Sequence, residues 1–190
     1  MIKKIGAIDV GTNTFHLLIV KWDTLGHQFE EVIRKRFFVK LGAKDLYHID
    51  AKAYDRGLNA MIDFAKLLQE HQVEEVKAYG TSAIRNADNA DQFILDIESK
   101  TSIVIQKISG DKEAELILKG TKLSIPLDEQ PILIMDVGGG SVEFIIANKD
   151  EMHYAQSFKV GVAVLKKLFH QSEPIETQQV TQLKQYLNDI

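Results

Sequence analysis

Two short segments of this 190-residue chain carry the residue types that can hold a phosphate. Residues 9–14 read Asp-Val-Gly-Thr-Asn-Thr, and residues 136–141 read Asp-Val-Gly-Gly-Gly-Ser. Each follows an apolar run and precedes another, so each reads as the turn between two strands. Small residues in such a turn let backbone amides approach an anion closely. In the first copy Gly11, Thr12, Asn13 and Thr14 are the candidate phosphate contacts, with the threonine hydroxyls as added donors. In the second they are Gly138, Gly139, Gly140 and Ser141. Three glycines in a row are entropically costly for a mere turn and suit a backbone nest around an anion. Asp9 and Asp136 repel phosphate directly. Each makes chemical sense as a ligand of a metal ion, directly or through water, or more plainly as a carboxylate capping its hairpin.

The two copies align over longer stretches. Residues 5–20 and 132–147 share the pattern strand, Asp-Val-Gly, small residues, strand, with Thr14 opposite Ser141 and Ile19 opposite Ile146. An internal repeat of this kind predicts two related lobes with a site between the repeated loops.

Three further segments bear on the chemistry. Glu113 stands in Ser109-Gly-Asp-Lys-Glu-Ala-Glu115, where a strand gives way to a helix. A carboxylate in the first turn of a helix is either an electrostatic cap or a positioned base. Thr81-Ser-Ala-Ile-Arg85 follows a strand at its carboxyl end, where open α/β sheets bind ligands. Arg85 there can fork onto a phosphate or pair with a surface carboxylate. Residues 32–44 hold five basic residues and no acid, enough to steer a polyanion or simply to solvate a strand face. The histidines show no paired-ligand spacing, which argues against zinc, and His16 is expected to pack along its strand. No G-x-x-x-x-G-K-[ST] loop is present.

The elements that must position these residues follow from periodicity. Strands are expected at 4–10, 15–22 and 29–39, joined by short connections, the second of which contains Gly26. A helix follows over 50–72, with Asp50 as N-cap and Met61 on its core face. Next come a strand at 73–80, a helix at 89–100, a strand at 103–108 and a helix at 112–120. The order βββαβαβα thus fills the first lobe, residues 1–125. The polar, proline-bearing stretch 124–131 reads as a boundary. After it the pattern restarts, with strands at 132–137, 142–147 and 152–158 and helices at 161–170 and 176–189. Residues 126–190 are therefore expected to be the start of a second lobe that is shorter than the first. The fold class is α/β, a mixed sheet with helices packed on it.

Composition narrows the alternatives. Apolar residues make up 45% of the chain, enough for a sizeable core, and there is no cysteine to build disulfides or thiolate metal sites. A net charge of -4 argues against a general binder of nucleic-acid duplexes. No apolar run approaches the length of a membrane span, and no signal peptide is visible.

Taken in order, Asp9-Val-Gly-Thr-Asn-Thr-Phe-His-Leu17, Thr81-Ser-Ala-Ile-Arg85, Ile108-Ser-Gly110 with Glu113-Ala114, and Asp136-Val-Gly-Gly-Gly-Ser-Val-Glu143 resemble the Ppx/GppA family of exopolyphosphatases and guanosine pentaphosphate phosphohydrolases. Lys159-Val-Gly-Val162 looks like that family's glycine-led segment after the third strand. The resemblance implies an actin-like fold, shared with sugar kinases and heat-shock chaperones. It also implies a cytoplasmic, magnesium-dependent hydrolase acting on inorganic polyphosphate or guanosine pentaphosphate. On that basis Glu113 is expected to be the catalytic glutamate acting on water, and Arg85 a substrate-binding arginine. Asp9, Asp136 and Glu143 are expected to hold Mg²⁺. The expected partners are polyphosphate or guanosine pentaphosphate, with neither a nucleic-acid duplex nor a membrane, and a homodimer is left open. One departure is Lys112, where the family often has an acid just before the glutamate. Two other readings stay in view. One is an ATP-dependent phosphotransferase or ATPase of the actin-like superfamily, and the other a non-catalytic polyphosphate- or nucleotide-binding fragment.

Overall fold

A computed structural model describes residues 1–25, 28–42, 44–45 and 47–190. Gly26 of the second strand connection and Ala43 of the basic stretch therefore lie outside the described residues. The chain divides into two compact units, Met1–Glu113 and Ala114–Ile190.

Unit 1 is built on a five-stranded sheet. Strands β1 (Ile2–Val10), β2 (Thr14–Asp23) and β3 (Gln28–Phe38) form the expected antiparallel meander. Strands β4 (Glu75–Gly80) and β5 (Ile105–Lys107) then join in parallel, giving the order β3-β2-β1-β4-β5. Alternation decides which face is buried. Ile8 and Val10 of β1 and Phe15, Leu17 and Ile19 of β2 are essentially inaccessible to solvent. Against them pack Met61 and Phe64 of helix α1 (Ala51–Glu70) and Phe93 and Ile97 of helix α3 (Ala90–Thr101). Helix α1 begins where predicted, with the Asp50 carboxylate accepting from the Lys52 amide.

Helix α2 (Ser82–Asn86) was not anticipated. It is a single turn, too short for apolar periodicity to register. Gly80 makes it possible, since a Cβ there would stand 2.5 Å from Ile84 Cγ2. The strand therefore turns directly into the helix that carries Arg85. Helix α4 (Gly110–Ser124) is longer at both ends than its apolar pattern suggests.

In unit 2, strands β6 (Ile132–Val137), β7 (Val142–Ala147) and β8 (Met152–Phe158) form an antiparallel sheet in the order β6-β7-β8. Helices α5 (Val162–Phe169) and α6 (Thr177–Asn188) follow. Ala114 and Leu118 of α4 pack on Ile145 and Ala147 of β7. Burying a side chain such as Leu118 or Ile145 contributes about 1.5–3 kcal/mol each. Strand β6 is an edge of this sheet, and its Leu133, Met135 and Val137 are exposed. Among the described residues no helix is long and apolar enough to cross a membrane.

Candidate active site

The repeat seen in the sequence is a repeat in space. In unit 1, Asp9 pairs with His16 and Val10 with Phe15. In unit 2, Asp136 pairs with Glu143 and Val137 with Val142. Each hairpin is closed by the same backbone hydrogen bond, Gly11 N–H to Thr14 O at 3.2 Å and Gly138 N–H to Ser141 O at 3.0 Å. A Cβ on Gly11 would lie 2.8 Å from the Thr14 oxygen, and one on Gly138 3.1 Å from the Ser141 oxygen. No described glycine has a positive φ. The glycines therefore serve by being small where backbone crosses backbone. Neither loop contains a residue in the left-handed region.

The first loop is held from outside by the segment after β3. Lys40 N–H donates to Asn13 O at 2.9 Å, and Gly42 N–H to Thr12 O at 3.4 Å. Thr12 is 3% exposed, and its Oγ1 has no hydrogen-bond partner. A buried hydroxyl without a partner costs about 1–3 kcal/mol. It is the feature of this loop with hydrogen-bonding capacity to offer an anion. Asn13 and Thr14 are half-buried beside it.

The second loop is held from inside its own unit. Val162 N–H donates to Gly138 O at 3.0 Å and Ala163 N–H to Gly139 O at 2.8 Å. The first free amides of α5 are thus used on the loop's carbonyls, which fixes its course. Gly161 is the residue that permits this, because a Cβ there would stand 2.4–2.5 Å from the backbone of Gly139 and Gly140. Gly140 and Ser141 are buried.

The structure brings Glu113 and Arg85, singled out separately in the sequence, into contact. Arg85 Nη1 donates to Glu113 Oε2 at 2.8 Å and to the Ile108 carbonyl at 2.9 Å. Their side chains are 23% and 15% exposed, so the pair is poorly solvated and the carboxylate is held in one orientation. The cap of α4 is Ser109, whose Oγ accepts from Lys112 N–H at 3.1 Å. The Glu113 carboxylate is turned to Arg85. Nη1 is committed to protein groups, and among the described residues Nη2 and Nε have no hydrogen-bond partner.

The carboxylates expected to hold a metal sit in two settings. In unit 1, Asp9 is exposed in a cross-strand row with His16 and Arg36. His16 is itself exposed, contrary to the packed position expected of it. Partial burial, then the fields of Arg36 and Arg34, lower its pKa. In unit 2 the matching row is Asp136, Glu143 and Ser157. Glu143 is 1% exposed and accepts from Ser157 Oγ at 2.6 Å. Among the described residues no group of three acids or histidines converges as a complete metal cage. Mg²⁺ does not need one. It is commonly held by one or two carboxylates, with waters and substrate phosphates as the other ligands, and Asp9 in unit 1 and, separately, Asp136 and Glu143 in unit 2 offer oxygens of that kind.

The sequence and the fold both match known proteins. The model of the Ppx/GppA phosphatase family matches residues 18–190. The chain belongs to that family. The bifunctional 3-dehydroquinate synthase/phosphatase of Fusobacterium nucleatum is 35% identical over 173 residues, covering 86% of this chain and 26% of that protein. The guanosine-5'-triphosphate,3'-diphosphate pyrophosphatase of Aeromonas hydrophila is 28% identical over 155 residues, covering 82% of this chain and 31% of that protein. The crystal structure of an exopolyphosphatase from Cytophaga hutchinsonii superposes with a TM-score of 0.94 at 37% identity, covering 99% of this chain and 60% of that one. This Ppx/GppA chain thus spans about a quarter to a third of the curated relatives it matches and three fifths of the solved one. Its fold is the actin-like α/β fold that the resemblance led us to expect.

Sequence reasoning passed over two residues that shape the site. Gly80 is legible in principle as a glycine at the junction of a strand and a helix, as Gly161 was within the glycine-led segment 159–162. Ser157 carries no sequence signal, because a serine in an exposed-looking strand is unremarkable until its partner is seen.

Proposed function

We propose that this chain carries phosphate-handling and catalytic groups of a hydrolase that removes the terminal phosphate from inorganic polyphosphate, guanosine pentaphosphate, or both. The observation that carries the reading is the Arg85–Glu113 pair, a carboxylate held by a guanidinium at the head of a helix. Phosphoryl transfer asks little covalent chemistry of the protein and much positioning and charge neutralisation. Glu113 orients a water in line with the terminal phosphorus and takes its proton as the new P–O bond forms. The bond to the bridging oxygen breaks, and the shortened chain leaves with the electron pair. An ordinary carboxylate, with a pKa of about 4, is a weak base, so orienting the water is the larger part of this role.

Loop 1, residues 11–14, supplies donors to the terminal phosphoryl oxygens from Asn13, Thr14 and the unpartnered Thr12 hydroxyl, while Gly11, its amide spent on Thr14 O, lets the loop turn closely. The free nitrogens of Arg85 add charge. In unit 2, Gly138–Ser141 form a second phosphate loop. Asp9, Asp136 and Glu143 are the residues that would hold Mg²⁺, which when bound neutralises phosphate charge. The substrates proposed are those of a cytoplasmic enzyme.

The test compares orthophosphate release from polyphosphate, guanosine pentaphosphate and ATP at equal phosphoanhydride concentration. The reading expects release from one or both of the first two to exceed that from ATP by at least about tenfold, a transition-state difference of about 1.4 kcal/mol. Preferential turnover of ATP would instead favour a phosphotransferase or ATPase of the same fold.

A further inference from the structure

We infer that Lys40 and Arg36 form a subsite for the phosphates behind the terminal one when an inorganic polyphosphate chain occupies loop 1. The inference rests on the phosphohydrolase reading and adds to it a preference for a linear polyanion.

Lys40 is unusual in its backbone. Its φ is 55°, in the left-handed region that lysine seldom adopts. A side chain there is strained relative to an ordinary conformation. The segment is pinned in spite of that strain. Val39 and Leu41 on either side are each 1% exposed. The Lys40 amide bonds to Asn13 O, and Arg56 Nε donates to Val39 O at 2.8 Å. The result is one exposed cation between two buried residues, tied by its own amide to the phosphate loop. Glycine or asparagine would satisfy the backbone better, so the backbone does not explain the lysine.

Arg36 reaches the same region by register. It pairs with His16, which pairs with Asp9, and Phe38 beyond it pairs with Thr14 of the loop. Arg36 and Asp9 are thus two strand spacings apart on one face of the sheet, roughly 10 Å. Arg36 is exposed, and its recorded contact is the Phe38 ring, 5.3 Å away.

The other basic residues of the 32–44 stretch are differently placed. Arg34 pairs with Glu31 at 2.6 Å and Lys44 with Asp50 at 3.5 Å. Lys35 lies over the Phe37 ring on the opposite face. Among the described residues, Lys40 and Arg36 have no carboxylate partner, and they are the cations that the backbone bond and the register bring to loop 1. In a chain of net charge -4, uncompensated cations beside a phosphate loop, spaced along a strand edge, suit several phosphates in line.

The test titrates the chain, with Mg²⁺ present, against long-chain inorganic polyphosphate and against pyrophosphate, which is too short to reach beyond the loop. Lys40→Gly removes the charge and relieves the backbone, so folding is not at risk. Lys40→Gly and Arg36→Ala should each weaken polyphosphate binding about fivefold, the scale of one exposed ionic contact. Both should flatten its salt dependence and leave pyrophosphate affinity unchanged. Lys40→Arg should retain wild-type affinity. If wild-type chain binds polyphosphate and both charge-removing variants bind it equally well, the subsite is refuted while the hydrolase reading stands. Equal loss of pyrophosphate affinity would refute it also, by showing that the change acts on the loop itself. If wild-type chain binds neither ligand, the hydrolase reading falls and the subsite with it.

Discussion

Loops 11–14 and 138–141 are closed by the same hydrogen bond and set in opposite surroundings. The first is braced through Asn13 O and Thr12 O by the amides of Lys40 and Gly42, and it keeps a buried hydroxyl without a partner. The second is braced through Gly138 O and Gly139 O by the first amides of α5, and the acid beyond it, Glu143, is buried against Ser157. The matching rows diverge in the same way, with exposed Asp9, His16 and Arg36 in one and the Glu143–Ser157 pair in the other. One backbone motif thus yields an open donor set in unit 1 and a fixed, inward-bonded one in unit 2. A helix N-terminus beside a glycine loop is often an anion site. Here two of the α5 amides stabilise the loop instead.

The largest expected difference between the loops is steric. Gly161→Ala should destabilise by about 3 kcal/mol, at the upper end of overpacking costs, because its Cβ would meet backbone that cannot move aside. Gly11→Ala should cost less, and Gly138→Ala, with 3.1 Å of clearance, least of the three. Urea unfolding of the three variants gives the order directly, and a Gly138→Ala variant weaker than Gly161→Ala would contradict the clamp.

Ser157→Ala comes next. It leaves the buried Glu143 carboxylate without its hydroxyl donor and should cost about 2 kcal/mol, whereas Ser157→Thr should recover most of that loss. Mg²⁺-dependent thermal shifts of the same variants would register whether Glu143 has lost its orientation.

Thr12→Val should behave differently. Its hydroxyl has no partner to lose, so stability should stay within about 0.5 kcal/mol or rise, while orthophosphate affinity falls. A clear loss of stability in calorimetry would mean that the hydroxyl is bonded after all, and the contrast between the loops would weaken.

The smallest effect is a titration. The folded pKa of His16 is depressed below its ordinary 6.5. The unfolded chain therefore takes up the proton first, and the stability linked to this group is fully present above about pH 6.5 and lost as pH falls through the folded value. Arg36→Ala should move the His16 pKa upward, as read from its ring proton shifts by NMR. No upward movement would remove Arg36 from that row.

Much of this was legible in the sequence because strand alternation and glycine placement are local. The meander, α1 with its Asp50 cap, the restart after 131 and the hairpin register of both Asp-Val-Gly loops could all be read from patterns of a few residues. Glu113 and Arg85 were each singled out from ordered motifs, but their pairing shows only in the structure. What escaped depends on contacts distant in sequence or on elements too short to show a period. Helix α2 is one turn long. The Ser157–Glu143 bond joins two strands through side chains that alternation cannot identify. Lys40 reads as one more basic residue until its φ and its bond to Asn13 are known.

The central claim is that Glu113, held by Arg85, directs water at a bound terminal phosphate. Glu113→Gln keeps the size of the side chain and its hydrogen bond to the guanidinium while removing the charge. Single-turnover orthophosphate release from polyphosphate, measured beside equilibrium polyphosphate binding, tests the claim most directly. Release should fall by about a hundredfold or more, with binding kept within about threefold, as expected for a group that acts in the transition state. Near-normal release, or release and binding falling together, would contradict it.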